Sequence, residues 1–215
     1  MNCGTKGAIK QGAFRTLFFV SLLFRLPPVL AASSMGPEAV IRAEVVAQEA
    51  GDRVAFVSLR TTKPGTPENR DDLALFMEQK PDCGLLSNVI RAELQGIQDL
   101  PINLVATLTT MGRYRTLYDE VAAYYAAIFY EVRTESNYGY NGVNYRLYVL
   151  GLEQGQWVIV EVSLIPIYRV LEAGYGFGTQ EEKVALWIQE MALRIGRFLN
   201  PKGEGIESER CPSTN

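Results

Sequence analysis

Val143-Asn144-Tyr145-Arg146-Leu147-Tyr148-Val149-Leu150-Gly151-Leu152-Glu153, then Gln154-Gly155, then Gln156-Trp157-Val158-Ile159-Val160-Glu161-Val162-Ser163-Leu164: two aromatic and β-branched runs meet at a two-residue turn. Such side chains suit a pleated backbone, and a two-residue turn fixes the register of the strands it joins. In that register Gly151 faces Val158, Val149 faces Val160, Leu147 faces Val162 and Tyr145 faces Leu164. This face is wholly apolar and is the expected core. The opposite face pairs Leu152 with Trp157, Leu150 with Ile159, Tyr148 with Glu161 and Arg146 with Ser163, so it is apolar near the turn and polar farther away.

Upstream, residues 124–134 form a third run of the same kind, and the turn-rich segment 135–142 joins it to the hairpin as an antiparallel meander. Downstream, Thr179 followed three residues later by Glu182 is a capping box. Val184, Trp187, Ile188, Met191, Ile195 and Phe198 then recur at helical spacing until Asn200-Pro201 and Gly203. The spacing predicts an amphipathic helix of about twenty residues that packs on the sheet. Nearer the start, residues 40–46 and 53–60 read as two strands of a hairpin around Glu49-Ala50-Gly51-Asp52. Residues 63–69 read as a loop and 71–79 as a short helix that Pro81 stops. Residues 86–94 read as a helix, with a strand after Pro101. The expected fold class is α+β: a curved antiparallel sheet packed against a C-terminal amphipathic helix, as one domain over 32–203 with a polar tail over 204–215.

The N-terminal segment has its own pattern. Lys6, Lys10 and Arg15 appear without an acid, Leu17-Phe18-Phe19-Val20-Ser21-Leu22-Leu23-Phe24 is apolar, and Val29-Leu30-Ala31-Ala32 offers a small-residue cleavage site. Residues 1–31 therefore read as a secretory signal peptide. The apolar run is short of the roughly 20 residues that span a bilayer, so no stable transmembrane anchor is expected. Arg25 within it keeps open a second reading, a retained amphipathic anchor. The expected location is secreted or extracytoplasmic, at the cell envelope. Loss of residues 1–31 would remove Lys6, Lys10, Arg15 and Arg25 and no acid, taking the formal charge from −3 to −7. That balance argues against nucleic acid or an anionic membrane surface as the main partner. Cys83 and Cys211 would then be left, either as a disulfide closing a long loop, worth up to ~4–5 kcal/mol in the chain-entropy view, or as free thiols.

The chain contains no histidine. This removes Ser-His-Asp and Cys-His nucleophiles and histidine-based zinc sites, and no Ser-x-x-Lys spacing replaces them. No metal and no cofactor are expected, and the chain reads as non-catalytic. Gly174-Tyr175-Gly176-Phe177-Gly178 precedes a helix but matches no phosphate-binding fingerprint, and Glu181-Glu182 put negative charge where a phosphate would sit. Two sets of candidate residues remain. Tyr138, Tyr140, Tyr175 and Phe177 lie on glycine-rich loops and are expected to form one contact patch for a protein or cell-envelope partner. Arg146, Tyr148, Trp157 and Glu161 share the half-apolar sheet face. There the plain reading is an Arg146–Glu161 ion pair, and the alternative is a shallow pocket for a small ligand or for carboxylate-dependent catalysis. The sequence sets no oligomeric state.

The segment 143–167, with its Gln154-Gly155-Gln156-Trp157-Val158-Ile159-Val160 turn and strand, resembles the closing strands of the cystatin-like and nuclear-transport-factor-2-like superfamily. The run from Phe177-Gly178-Thr179-Gln180-Glu181-Glu182-Lys183 to Glu204 resembles accessory domains of secreted bacterial sporulation and cell-wall proteins. The likeness covers residues 124–204. It implies a conical α+β fold and an accessory, non-catalytic role, and it carries no site residues over.

Overall fold

A computed structural model describes residues 35–106 and 111–206. The expected signal peptide and Cys211 lie outside the described residues. Among the described residues, eight helical and six extended segments follow in chain order: α1 (Pro37–Ala50), α2 (Arg53–Ser58), α3 (Arg70–Gln79), α4 (Leu85–Asn88), β1 (Val89–Asp99), α5 (Ile102–Val105), α6 (Met111–Tyr114), β2 (Val121–Val132), β3 (Gly142–Glu153), β4 (Gln156–Leu164), α7 (Ile167–Glu172), α8 (Gln180–Ile195), β5 (Phe198–Leu199) and β6 (Gly205–Ile206). β1 to β4 form an antiparallel sheet in sequence order, and β5 and β6 pair separately. The α+β meander with its C-terminal helix is present, and ordered pairing runs two residues into the segment expected as a tail.

The hairpin expected over 40–60 is two helices. Val40, Ile41, Glu44, Val45, Ala47 and Gln48 are buried, which is helical spacing. The boundary signals agree: Pro37 opens α1, Gly51 ends it in the left-handed region at φ 63, and the Asp52 side chain caps α2 by accepting from the Ala55 amide at 2.9 Å. The β-branched content of this stretch serves packing, because α1 lays its apolar side on the sheet. Residues 85–105 also differ from expectation. β1 occupies most of the segment read as a helix, and a helical turn follows Pro101 in place of a strand. Two register shifts in β1 erase the alternation that would have marked it as a strand.

Both faces of the sheet are covered. On one side Val40, Ile41 and Val45 of α1 meet Ile128, Tyr130, Tyr148, Leu150 and Ile159. On the other, Val105, Tyr114, Ile165, Ile167, Val170 and Ala185 meet Tyr125, Tyr145, Leu147, Val149 and Val160. Every residue of β3 from Asn144 to Gly151 is buried, so the far end of the strand, polar at Asn144 and Arg146, is not a solvated face. The free edge of β4 is closed by the chain around Arg60: the Ile159 amide donates to Leu59 O at 2.8 Å and the Thr61 amide to Ile159 O at 3.1 Å.

The β3–β4 turn is the expected one, with Gln154 and Gly155 at φ 53 and 78. Gly151↔Val158, Leu152↔Trp157 and Leu150↔Ile159 pair as the turn dictates. A bulge then shifts the register by one, giving Val149↔Glu161, Tyr148↔Val162, Leu147↔Ser163 and Arg146↔Leu164. That single extra residue re-aims the rest of β4.

Candidate functional site

The bulge takes Glu161 off the face on which Tyr148 and Trp157 lie. The Glu161 carboxylate accepts from Tyr114 Oη at 2.8 Å, within the α5–α8 side of the molecule. Tyr148 and Trp157 pack on the α1 side, with the Tyr148 hydroxyl buried beside Glu44. Arg146 makes no ion pair with Glu161; its guanidinium donates to the Tyr138 carbonyl. The structure therefore corrects the expectation that Arg146, Tyr148, Trp157 and Glu161 form one site.

The four loop aromatics are also divided. The Phe177 ring stacks on Tyr125 at 5.1 Å, lies 6.2 Å from Tyr145, and reaches so close to β1 that a Cβ at Gly96 would stand 2.7 Å from it. Tyr175 packs on the same core. Tyr140 is half-buried, and its hydroxyl donates to Val143 O at 3.2 Å. Only Tyr138, 47% exposed, presents its ring freely. Glycine flexibility in the 174–178 loop lets Phe177 and Tyr175 turn inward, so the four rings are not one external patch.

What the structure assembles instead is a groove of about 540 Å³ between α8, the start of α7 and the end of the sheet. Its geometry follows from how α8 is fastened. At its N-terminus the Thr179 hydroxyl accepts from the Glu182 amide at 3.1 Å, while the buried Glu182 carboxylate accepts from Phe177 N at 3.0 Å and Gly178 N at 2.8 Å. The capping box is thus present, with the Glu reaching one to two residues further back than expected. Midway, Gln189 accepts from Ile167 N at 2.9 Å and donates to Ile165 O at 2.8 Å. Beyond Ile188 no residue of α8 is buried, and Leu193 is 78% and Ile195 48% exposed before Gly196 ends the helix. Leu186 and Leu193 face the groove, Ile165, Ile167 and Tyr168 form its second wall, and Phe198, Leu199 and Ile206 close one end.

The floor is polar at one place. Tyr140, Asn144, Tyr145 and Arg146 line it. The 135–144 segment that positions them is held firmly. Asn144 Nδ2 donates to Tyr140 O and Gly142 O at 2.8 and 2.9 Å, Asn141 Oδ1 accepts from Val132 N, and Ser136 and Gly139 exchange backbone bonds. Burial pushes the Tyr140 hydroxyl up to about 12, against the pull of the nearby Arg146 charge. Tyr140 is a neutral hydroxyl at any physiological pH. Arg146 is 8% exposed, and among the described residues no carboxylate lies within 4 Å of it.

A second polar cluster lies under α1 and was not read from the sequence. Arg60 is ion-paired to Glu44, and to Glu68 at 3.1 Å; its Nη1 donates to Phe56 O at 2.9 Å and its guanidinium lies 3.7 Å from the Phe56 ring. Burial works against the Arg60 charge, but the two carboxylates outweigh it and hold it above its ordinary value; burial pushes Glu68 up. Arg60 is engaged on both sides, while Glu44 Oε2 is buried without a hydrogen-bond partner among the described residues, and the cluster ties α1 to the strand-like 59–61 segment.

Cys83, buried near α3 and α4, is disulfide-bonded, with its partner outside the described residues. Among the described residues no helix is long and apolar enough to cross a membrane. No family model matches the chain, and a search of curated proteins finds no similar sequence.

Proposed function

We propose that this protein is a non-catalytic binding module of the cell envelope that holds an apolar ligand in the groove between α8 and the sheet. One observation carries the reading: in the second half of α8 no residue beyond Ile188 is buried and Leu193 and Ile195 are exposed, beside a groove of about 540 Å³. That volume is of the size of small-molecule sites, roughly 300–1,000 Å³, and the few polar groups at its floor are of the kind that orient a ligand among apolar walls. A non-catalytic role is supported by the histidine-free sequence, which leaves the groove without the commonest general base. Export is supported by the basic-apolar-small order of residues 1–31 and by the disulfide at Cys83, which suits an oxidising compartment. Once the leader is removed, Cys211 is the cysteine left to pair with Cys83.

The finer assignment, a cystatin-like or nuclear-transport-factor-2-like cone of the kind used by sporulation and cell-wall accessory proteins, belongs to the same proposal. It is supported by the antiparallel meander with a capped helix against it. The functional reading is tested by titrating the protein with phenylnaphthylamine, a neutral apolar dye that fluoresces when shielded from water. Saturable binding is expected, and Leu193→Asp should weaken it severalfold without changing the melting temperature, because Leu193 is exposed and contributes little to folding. Absence of saturable binding, or binding indifferent to Leu193→Asp, refutes the groove as the site.

A further inference from the structure

We infer that the groove's ligand is a monoanionic amphiphile, a carboxylate on an apolar tail, with its head seated on Arg146. The inference rests on the groove being the binding site and adds the chemical class of what enters it. Arg146 comes from β3, where the bulge places it opposite Leu164 and beside the apolar wall of the groove. Arg146 is buried as a residue and, among the described residues, its hydrogen-bond acceptor is the Tyr138 carbonyl. A guanidinium offers five donors in a planar fork, so several remain for a ligand. A buried charge without a counter-ion is costly to keep in an apolar site, and a bound anion removes that cost.

The same molecule shows what a settled buried arginine looks like. Arg60 has carboxylates on two sides, a backbone carbonyl and an aromatic face. Arg146 has no carboxylate within 4 Å among the described residues, and it lines a groove. A carboxylate matches the guanidinium fork in shape and charge, with two parallel hydrogen bonds, and one cation calls for one negative charge. Tyr140 stays protonated and contributes no competing anion. Glu190 and Arg197 also line the groove, at the exposed helix rim where solvent screens them. The tail would lie along Leu186, Leu193 and Ile167, and the carboxylate at the sheet end.

The test is displacement of phenylnaphthylamine from the full chain at pH 8 by dodecanoate, dodecanol and dodecyltrimethylammonium, which share a tail and differ in the head. Dodecanoate should displace the dye at about tenfold lower concentration than dodecanol, as a charge-assisted hydrogen-bonded pair implies, and the ammonium should be weakest. Arg146→Gln should bring dodecanoate to the level of dodecanol while dodecanol is unchanged. Equal displacement by dodecanoate and dodecanol in the unaltered protein overturns the headgroup assignment and leaves the apolar groove standing. Displacement by none of the three overturns both. An acid preference that persists in Arg146→Gln also overturns the role of Arg146. The comparison of heads on the unaltered chain needs no variant, so it decides the matter even if Arg146→Gln fails to fold.

Discussion

Replacing Phe177 by serine removes the ring that locks the 174–178 loop and the start of α8 onto the sheet. The ring stacks on Tyr125, leans on Tyr145 and covers Gly96, whose missing side chain makes room for it. Burial of a phenylalanine is worth about 1.5–3 kcal/mol. Aromatic pairing adds roughly 0.5–1.5 kcal/mol. Because Phe177 is half-buried, a loss near 3 kcal/mol is the expectation, within the range of truncated core aromatics. In a domain of this size that lowers the melting temperature by about 6–12 °C. Tyr138→Ser is the internal control. Its ring is exposed, and its backbone carbonyl, which holds Arg146, survives the change. Its cost should stay within about 0.5 kcal/mol. Urea unfolding followed by circular dichroism measures both. Pairing Phe177→Ser with Tyr125→Ser should give a cost smaller than the sum of the two, because the same stack is lost twice. If Phe177→Ser costs less than about 1 kcal/mol, or Tyr138→Ser costs more, the inward assignment of the 174–178 loop is wrong.

The buried cluster makes a second prediction: Glu44→Gln takes one carboxylate from Arg60 and should cost about 3–5 kcal/mol, read by the same unfolding assay, whereas a cost below about 1 kcal/mol would show that the cluster is hydrated. Glu153 gives a pH effect. Partial burial alone would raise its pKa, yet hydrogen bonds from Thr61 and Thr62 and the charge of Lys63 hold it below the usual 4.5. A depressed carboxylate stabilises the fold above its unfolded pKa and stops doing so as pH falls through its folded one. Unfolding free energy should therefore drop as the pH is taken below 4.5, and Glu153→Gln should make that drop shallower.

The parts of the fold that the sequence shows best are those where one local signal dominates. The Gln154-Gly155 turn sets the first three β3–β4 pairs, and Thr179 with Glu182 sets the start of α8. The register beyond Leu150 is lost because a bulge leaves no mark in the residue pattern when both sheet faces are apolar. For α1, valine and isoleucine outweighed the punctuation of Pro37, Gly51 and Asp52, although the buried positions follow a helical period. At the groove, a signal was present in the helix itself. Leu186 and Leu193 are seven residues apart and lie off the stripe of Val184, Trp187, Ile188, Met191 and Ile195, so α8 is apolar on more than the one side a sheet covers. Arg146 and Tyr140 were legible as candidates, but their meeting across the 135–144 segment depends on Asn141 and Asn144, whose side-chain bonds have no sequence signature.

Two arginines are buried among the described residues of this fold, and their surroundings differ in a way that bears on selection. Around Arg60, the charges come from α1 and from the 59–68 segment, so the cluster exists only when these pieces are assembled, and its use is in specifying that assembly. Arg146 ties nothing of comparable extent together. Its bond to the Tyr138 carbonyl would be made as well by a neutral donor, and a leucine or methionine at this strand position would fill the groove wall without the cost of desolvating a charge. A fold-stabilising account thus explains Arg60 and leaves Arg146 as an expense. An anion arriving from solvent to a fixed, partly dehydrated guanidinium forms a stronger bond than it would at an exposed lysine, since the apolar walls lower the local dielectric on both partners. In the proposed complex the groove's apolar walls and its buried cation would act on the two ends of one ligand, and neither feature alone would account for the other.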